Sequence, residues 1–306
     1  MTEPIGAERE GAERVEAARA GAERVGAAPA GDGPRRAVTD VRTVKIRPGR
    51  HVALPDTVAT EEPLEIRVAG PAQDPEAVAV TMRTPGHDFE LAAGFLLTEG
   101  LVAPDEIAGV GYCATVADEY RWNTVLVALR RPWTRDGLRR DFVANSSCGV
   151  CGKAGIDQVE VACPVLGPRP PVPASLIPQL PDRLRQAQRV FDRTGGLHAA
   201  AAFDGEGALL TSREDVGRHN AVDKVVGHAV FAGATPPAAV LMVSGRVSFE
   251  IVQKAAMAGI AVIAAVSAPS SLAIEAADRL GLAVAGFVRD GSYTIYSHPE
   301  RVDLDA

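Results

Sequence analysis

Two cysteines in a glycine-rich segment are the residues of this 306-residue sequence best suited to do chemistry. Cys148 and Cys151 lie in residues 146–155, which read Ser-Ser-Cys-Gly-Val-Cys-Gly-Lys-Ala-Gly. The glycines and other small residues permit close backbone approach and motion. Lys153 could favour the thiolate, which is the nucleophilic form of cysteine. The segment therefore predicts a mobile arm that carries a reactive thiol.

Three kinds of chemistry fit a Cys-x-x-Cys pair. A structural zinc site needs two further ligands, but there is no second such pair, and Cys113 and Cys163 stand alone. A thiol-disulfide oxidoreductase would place the pair at the start of a helix after an N-terminal strand, whereas this pair lies mid-chain. In a sulfur relay, one thiol accepts sulfane sulfur and the second helps to pass it on. The residues alone leave these alternatives open, and they predict that Cys113 and Cys163 are buried structural thiols.

A second polar cluster occupies residues 213–224, which read Arg-Glu-Asp-Val-Gly-Arg-His-Asn-Ala-Val-Asp-Lys. Asp215 and His219 could shape a polar site in which the imidazole carries protons. The same residues could instead form an exposed helix in which Asp215 and His219 pair at i,i+4 spacing. His198 follows two adjacent glycines, which either bring it toward the same site or simply end a helix.

The N-terminal half must position these residues with a β-rich framework. Residues 1–38 carry imperfect Gly-Ala-Glu-Arg repeats and are typical of a solvated tail. Residues 39–142 contain short strand-like runs broken by Pro and Gly, with one helix expected at residues 89–99. This region is predicted to be a smaller β-rich α+β domain. Its strands are expected at residues 64–68, 77–82 and 124–129.

The C-terminal region, residues 143–306, is predicted to be an α/β domain that begins with the Cys-x-x-Cys loop. Three apolar strands alternate with two helices in a βαβαβ pattern, which predicts a mixed, partly parallel sheet. The expected strands are residues 238–243, 261–266 and 282–287, and the expected helices are residues 248–258 and 270–280. Before them come a predicted helix at residues 182–192, a hairpin at 199–211 and a helix at 217–231.

Ligands of such sheets usually bind where strand ends meet helix N-termini. In this sequence those places are the run Ser244-Gly245-Arg246 and residues 267–271. The segment after the last strand of the pattern adds a glycine turn and Arg289, a side chain suited to phosphate. An ordinary hairpin explains that turn equally well.

Composition restricts the possible partners. A net charge of −7 argues against a general nucleic-acid binder, which would have a basic surface. Residues 1–33 lack a secretory pattern, and the longest apolar stretches fall far short of the roughly 20 residues that cross a bilayer. Four cysteines in a chain of this length do not resemble a disulfide framework. We therefore expect a cytoplasmic protein with no membrane span.

Five separated motifs, in order, resemble the FdhD/NarQ family over about residues 41–301. They are Thr84-Pro85-Gly86 with Gly94-Phe95-Leu96 and Glu99-Gly100, the Cys148 loop, Thr194-Gly195-Gly196 with His198, the run from Asp215 to Lys224, and Ser244-Gly245-Arg246 through Gln253-Lys254. Five motifs together are far more specific than one Cys-x-x-Cys pair.

The resemblance implies a sulfur carrier that serves formate dehydrogenase. Members of this family receive sulfur from a cysteine desulfurase, hold it as a persulfide and sulfurate the bis(molybdopterin guanine dinucleotide) molybdenum cofactor, here called Mo-bisMGD. Cys148 matches the persulfide cysteine and Cys151 its partner. The resemblance further implies a homodimer, with Mo-bisMGD as a bound substrate and no permanently bound metal.

The resemblance also assigns a cofactor-binding segment near the C-terminus. Its residues are Phe287, Val288, Arg289, Asp290, Gly291 and Ser292. Ser292 stands where some relatives have a basic residue, and Arg289 could supply that charge. We expect Arg246 or Arg289, with helix N-termini, to meet the phosphates of the guanine dinucleotide. Asp215 and His219 are expected to orient or protonate neighbouring groups.

The family is similar in fold to cytidine deaminases, which implies a cytidine-deaminase-like C-terminal domain. The deaminase zinc motif is missing, because no His-x-Glu precedes Cys148 and Ser147 stands where the motif has proline. The alternatives that remain are a cofactor chaperone without sulfur transfer and a thiol-disulfide oxidoreductase.

Overall fold

The computed structural model describes residues 35–134, 142–144, 163–233 and 238–306. In its N-terminal part, a hairpin precedes a five-stranded sheet and one long helix. In chain order the elements are β1 (Val38–Arg47), β2 (Arg50–Ala59), β3 (Glu62–Ala69), β4 (Glu76–Arg83), α1 (Asp88–Thr98), β5 (Ile107–Tyr112), β6 (Thr124–Leu129) and β7 (Phe142–Ala144). Short 3-10 helices lie at Pro104–Glu106 and Asp118–Asn123. The predicted strands and helix of this region are confirmed.

The five-stranded sheet is mixed and has the order β5-β6-β3-β4-β7. Strand β3 pairs antiparallel with β4 and parallel with β6. Strands β1 and β2 form a separate antiparallel hairpin that runs from the pair Val38 and Ala59 to the pair Arg47 and Arg50.

Helix α1 lies between the two halves of the protein. Every residue of α1 except Phe89 is buried, as expected of a helix that is enclosed on all sides. Leu91 and Leu96 pack on the five-stranded sheet, whereas Leu97 belongs to the core of the C-terminal half. Through these contacts α1 joins the two cores.

The C-terminal part is built on a six-stranded sheet. Its elements are β8 (Val172–Pro173), α2 (Leu180–Ala187), α3 (Arg189–Thr194), β9 (His198–Phe203), β10 (Leu209–Asp215), α4 (Arg218–Ala232), β11 (Val240–Val243), α5 (Phe249–Met257), β12 (Val262–Ala265), α6 (Ser271–Leu280), β13 (Ala283–Arg289), β14 (Ser292–Ile295) and β15 (Val302–Asp303). Further 3-10 turns lie at Ile177–Gln179 and Pro299–Arg301.

The six-stranded sheet has the order β10-β9-β11-β12-β13-β14, and strands β8 and β15 form a small parallel pair beside it. Strands β11, β12 and β13 are parallel, while β9 and β14 run antiparallel to their neighbours. One face packs against α4, α5 and α6, and the other against α2 and the β8 region. The predicted partly parallel βαβαβ sheet is confirmed.

Two glycines allow α1 and α4 to cross in very close contact. A Cβ atom on Gly94 would lie 1.9 Å from the carbonyl oxygen of Asp223, and one on Gly227 would lie 1.9 Å from that of Glu90. Only residues without a Cβ permit this approach. The spacing of the two halves of the protein therefore depends on both glycines.

The single helix predicted at residues 182–192 is wrong. The chain forms α2 and α3 instead, with a break at Gln188, whose ψ of 70° is not helical. Helix α2 begins at Leu180, before Asp182. Helix α3 starts afresh because the carboxylate of Glu214 accepts hydrogen bonds from the backbone N–H groups of Val190 and Phe191, at 2.9 and 2.7 Å. A distant residue caps this helix.

Candidate functional site

One edge of the six-stranded sheet gathers most of the predicted site residues. Strands β10 to β13 all end there, and the antiparallel β9 and β14 begin there. Helices α4, α5 and α6 follow β10, β11 and β12, so their N-termini meet at the same edge. This is where α/β sheets bind ligands, and where helix N-termini offer N–H groups to anions.

His198 lies at this edge, at the first position of β9, while Gly195 ends α3 in a left-handed conformation, so the two interpretations of the glycines hold together. It is half-buried and sits opposite Asp215 in the pairing with β10. Ser244 ties the turn after β11 to the same strand, because its hydroxyl accepts from Ala199 N at 2.9 Å. Gly245 is thereby held so close to His198 that an added Cβ would lie 3.4 Å from the ring nitrogen Nδ1.

His219, in the first turn of α4, is almost completely buried beside the start of α5. Its Nε2 atom lies 3.3 Å from the hydroxyl of Ser248 and 3.8 Å from the Oε2 atom of Glu250. Burial, followed by the positive charges of Arg218, Lys254 and His198, lowers the pKa of His219 to about 3. The imidazole is therefore neutral at pH 7 and can accept or donate one hydrogen bond per ring nitrogen.

His198 is also biased toward its neutral form. Burial lowers its pKa, the positive charges of Arg218 and Arg246 add to this effect, and the negative charge of Asp215 opposes it. The edge thus combines two neutral imidazoles with nearby arginines. Such a set of groups can bind an anion while its imidazoles serve as hydrogen-bond partners.

Asp215 does not lie on an exposed helix, and it does not pair with His219. It is the last residue of β10 and is fully buried. Its carboxylate accepts hydrogen bonds from four donors. These donors are Thr84 N at 3.2 Å, Gly217 N at 2.8 Å, Asn220 Nδ2 at 3.0 Å and Lys224 Nζ at 2.7 Å. Four donors occupy the lone-pair positions of a carboxylate. The contacts favour a structural role, in which Asp215 fixes the loop at Thr84 and the start of α4.

A second buried charge cluster lies one helical turn below His219. Lys254 Nζ lies 2.8 Å from Asp223 Oδ1, 3.1 Å from Glu99 Oε1 and 2.9 Å from Thr98 Oγ1. Burial on its own lowers the pKa of Lys254, but the carboxylates of Asp223 and Glu99 outweigh that effect and raise it. The ammonium group stays charged and holds α1, α4 and α5 together.

The predicted cofactor-binding segment forms the hairpin between β13 and β14, at the far end of the same edge. Phe287, Arg289, Asp290, Gly291 and Ser292 are exposed, but Val288 is fully buried. The side chain of Val288 therefore belongs to the core, and a ligand at this hairpin could meet Val288 only through its backbone. Three strand spacings separate β13 from β9, or about 14 Å. A ligand that contacts both His198 and this hairpin must be long.

Several other predicted features can be placed. Cys148 and Cys151 lie outside the described residues. Cys113 is buried as predicted, whereas Cys163 is only half-buried against the core. Within the described parts of the chain, no group of three or more His, Cys, Asp or Glu residues is placed to hold a metal ion. No helix in these parts is long and apolar enough to span a membrane.

The sequence interpretation did not assign roles to Ser248 and Glu250, which neighbour His219, or to the Asp223–Lys254 pair. Two spacings could have revealed them. His219 and Asp223 are four residues apart on one predicted helix, as Glu250 and Lys254 are on the next, so each pair shares a helix face. The contact between the two helices could not be read from the sequence.

A family profile and individual relatives each match most of this chain. The profile of the FdhD/NarQ family matches residues 59–303. The chain is 50% identical to a sulfur carrier protein FdhD from Streptomyces avermitilis, over 87% of this chain and 95% of that protein. It is 51% identical to a sulfur carrier protein FdhD from Mycobacterium tuberculosis, over 82% of this chain and 93% of that protein.

A solved structure shares the fold. The crystal structure of a protein from Desulfotalea psychrophila, described as a formate dehydrogenase accessory protein, superposes with a TM-score of 0.69. The match covers 88% of this chain and 100% of that chain at 24% sequence identity.

Proposed function

This chain belongs to the FdhD/NarQ family, and from that membership we propose that it is a sulfur carrier acting through Cys148. The observation that carries the proposal is the identity of about half of the aligned residues with proteins named sulfur carrier protein FdhD, over nearly their whole length. We further propose that it acts in the cytoplasm as an accessory protein of formate dehydrogenase.

The proposed first step is a transfer of sulfane sulfur from a cysteine desulfurase. The Cys148 thiolate attacks the outer sulfur of the persulfide on the desulfurase. One S–S bond forms as another breaks, and the desulfurase cysteine leaves as a thiolate, so no external oxidant is consumed. In the second transfer the bond between the two sulfurs of the Cys148 persulfide breaks, the outer sulfur bonds to the acceptor, which supplies the two electrons that reduce it to sulfide, and Cys148 leaves as a thiolate. Cys151 assists by thiol exchange: its thiolate attacks the outer sulfur, and Cys148 leaves as a thiolate.

We propose that the acceptor is Mo-bisMGD, bound as cargo along the sheet edge described above. The length of that edge supports a dinucleotide ligand, because Arg246 follows β11 and Arg289 is the last residue of β13, two strand spacings away. Arg246 and Arg289 are both exposed there and suited to phosphate. The N-termini of α5 and α6 add N–H groups that favour anions.

His219 and His198 are proposed to contact the bound cargo as neutral hydrogen-bonding groups. A pKa of about 3 makes His219 a poor proton donor at neutral pH, so it acts as an acceptor or as a neutral donor. Asp215 supports this arrangement from below by fixing the start of α4.

The remaining expectations form part of the same proposal. We infer a homodimer, no resident metal ion, and a cytidine-deaminase-like arrangement of the six-stranded sheet that has lost the zinc site. The mixed sheet with helices on both faces supports the proposed similarity to the cytidine-deaminase fold.

Intact-protein mass spectrometry after incubation with a cysteine desulfurase and cysteine tests the proposal. Wild type is expected to gain one sulfur that a reductant removes, and Cys148→Ala is expected to gain none. Cys163→Ala is the matched control, since Cys163 lies outside the pair, and it should gain sulfur like wild type.

Two results would favour the other functions. Binding of guanine nucleotide without any sulfur adduct would support a cofactor chaperone. A reversible disulfide between Cys148 and Cys151 with dithiol reductase activity, and no adduct, would support a thiol-disulfide oxidoreductase.

A further inference from the structure

Helices α4 and α5 bring polar side chains together at two successive turns. His219 and Glu250 face each other at the sheet edge, with 3.8 Å between Nε2 and Oε2. Asp223 and Lys254 stand four residues further along the same two helices, with 2.8 Å between Oδ1 and Nζ. Residues four apart lie on the same face of a helix, one turn above the other. The position of the lower pair therefore sets the register of the upper pair.

The lower pair is completely enclosed and also reaches α1. Thr98 Oγ1 donates to Asp223 Oδ1 at 2.7 Å, and Lys254 Nζ contacts Thr98 Oγ1 at 2.9 Å. With Glu99 at 3.1 Å, three oxygen-bearing side chains surround the ammonium group, whose three N–H donors can all be used. Moving the ammonium group away from these partners would leave buried charges unpaired.

We propose that Lys254 is a positioning residue for His219: it fixes α5 and α1 against α4, and its charge one turn below acts on the imidazole. A buried ion pair is often no more stabilising than well-packed apolar side chains of the same volume. Packing alone therefore does not require a lysine between two carboxylates at this position. A fixed positive charge one helical turn from a buried imidazole is a role that explains why a lysine stands at position 254.

Charged and titratable groups near His219 lie on three elements. Arg218 lies on its own helix, Lys254 and Glu250 lie on α5, and His198 lies on β9. Burial and three of these groups, Arg218, Lys254 and His198, act against protonation. Glu250 is the nearby acid, at 3.8 Å. Removing the charge of Lys254 should therefore make His219 easier to protonate.

An NMR titration of the histidine rings tests the inference without using sulfur transfer. The signal of His219 is assigned by comparison with His219→Gln. In wild type this signal is expected to stay flat from pH 8 down to pH 5. In Lys254→Gln it should begin to move at a pH at which the wild-type signal is still flat, whereas Lys254→Arg, which keeps the charge, should stay close to wild type.

A matched control separates positioning from simple loss of stability. Arg83 forms an equally buried pair with Asp88 in the five-stranded half, with 2.9 Å between Nη2 and Oδ2. Arg83→Met should lower stability to urea without moving the His219 titration. If Lys254→Gln does not fold, the double variant Asp223→Asn with Lys254→Gln is titrated instead and compared with the single variant Asp223→Asn, which keeps the lysine charge.

Two outcomes would overturn the inference. One is a wild-type His219 that titrates near the ordinary value for histidine. The other is a folded variant without the Lys254 charge whose His219 titrates as in wild type. The inference rests on the proposed function, because His219 is positioned for bound cargo. The two fail separately, since the titration shift does not require a sulfur adduct and the adduct does not require the shift.

Discussion

Gly94 of α1 lies directly against the backbone of Asp223 in α4, and a Cβ at Gly94 would stand 1.9 Å from the Asp223 carbonyl oxygen. Asp223 is also the partner of Lys254, so this contact and the buried charge cluster fix the same helix. The two halves of the protein are thereby held in the arrangement that brings the loop at Thr84 to the sheet edge.

Gly94→Ala is expected to destabilise the protein by about 3 kcal/mol or more, because a rigid backbone must move to admit the methyl group. Gly111→Ala is the control, since nothing lies within 4 Å of a Cβ at that strand position. Urea unfolding measures both. Equal midpoints for the two variants would show that α1 and α4 can separate without cost.

The Asp215–Lys224 pair should behave as a buried structural ion pair. Each of Asp215→Asn and Lys224→Met leaves one buried charge without its partner, and each is expected to cost about 3 to 5 kcal/mol. The double variant should cost less than the sum of the two, since it leaves neither charge behind. Urea unfolding of the four proteins gives the coupling energy. Strict additivity would contradict the assigned pairing.

Much of the fold could be predicted because local pattern and tertiary structure agree. The apolar runs that form β11, β12 and β13 are short, and they alternate with helices that have a clear apolar face. The break at Gln188 could not be predicted, since it depends on a carboxylate from Glu214, 26 residues further along the chain. Contacts distant in sequence are invisible to pattern reasoning.

The candidate sheet edge could be predicted from the sequence for the same reason, because the ends of alternating strands and helices meet there. His198 and Arg246 both lie at that edge. The full set of donors to Asp215 could not be predicted, because Thr84 lies 131 residues away in the sequence, whereas the other three donors lie within residues 217–224. Val288 is buried because successive side chains of a strand point to opposite faces of the sheet. That alternation could have been read from the sequence.

Glu90 should make the folded state sensitive to acid. Burial raises the pKa of its carboxyl, but hydrogen bonds from Arg213, His228 and His87 outweigh it and hold the pKa well below its usual range. A carboxyl whose pKa is depressed on folding adds stability above its unfolded pKa of about 4.5, and loses it as pH falls toward the folded value.

The free energy of unfolding of Glu90→Gln is therefore expected to be lower than that of wild type by about 3 kcal/mol at pH 7. This difference between the two proteins should become smaller below a pH of about 4.5. The exposed Glu206 provides the control variant Glu206→Gln. Urea unfolding at a series of pH values gives the comparison. A gap that stays constant down to pH 3 would show that Glu90 is not ionised in the folded protein in the expected way.

The two exposed arginines at the sheet edge should bind phosphate in the proposed cargo. Guanosine diphosphate is the probe, and calorimetric titration is the measurement. A charge-assisted hydrogen bond contributes about 1.5 to 3 kcal/mol, so Arg246→Gln or Arg289→Gln should each weaken binding about tenfold or more. Arg169→Gln is the control, because Arg169 is exposed and lies on the segment before β8.

Loss of binding in Arg246→Gln alone would place the phosphates at the His219 end of the edge. Loss in Arg289→Gln alone would place them at the β13 hairpin, and unchanged binding in both would remove the edge as the nucleotide site.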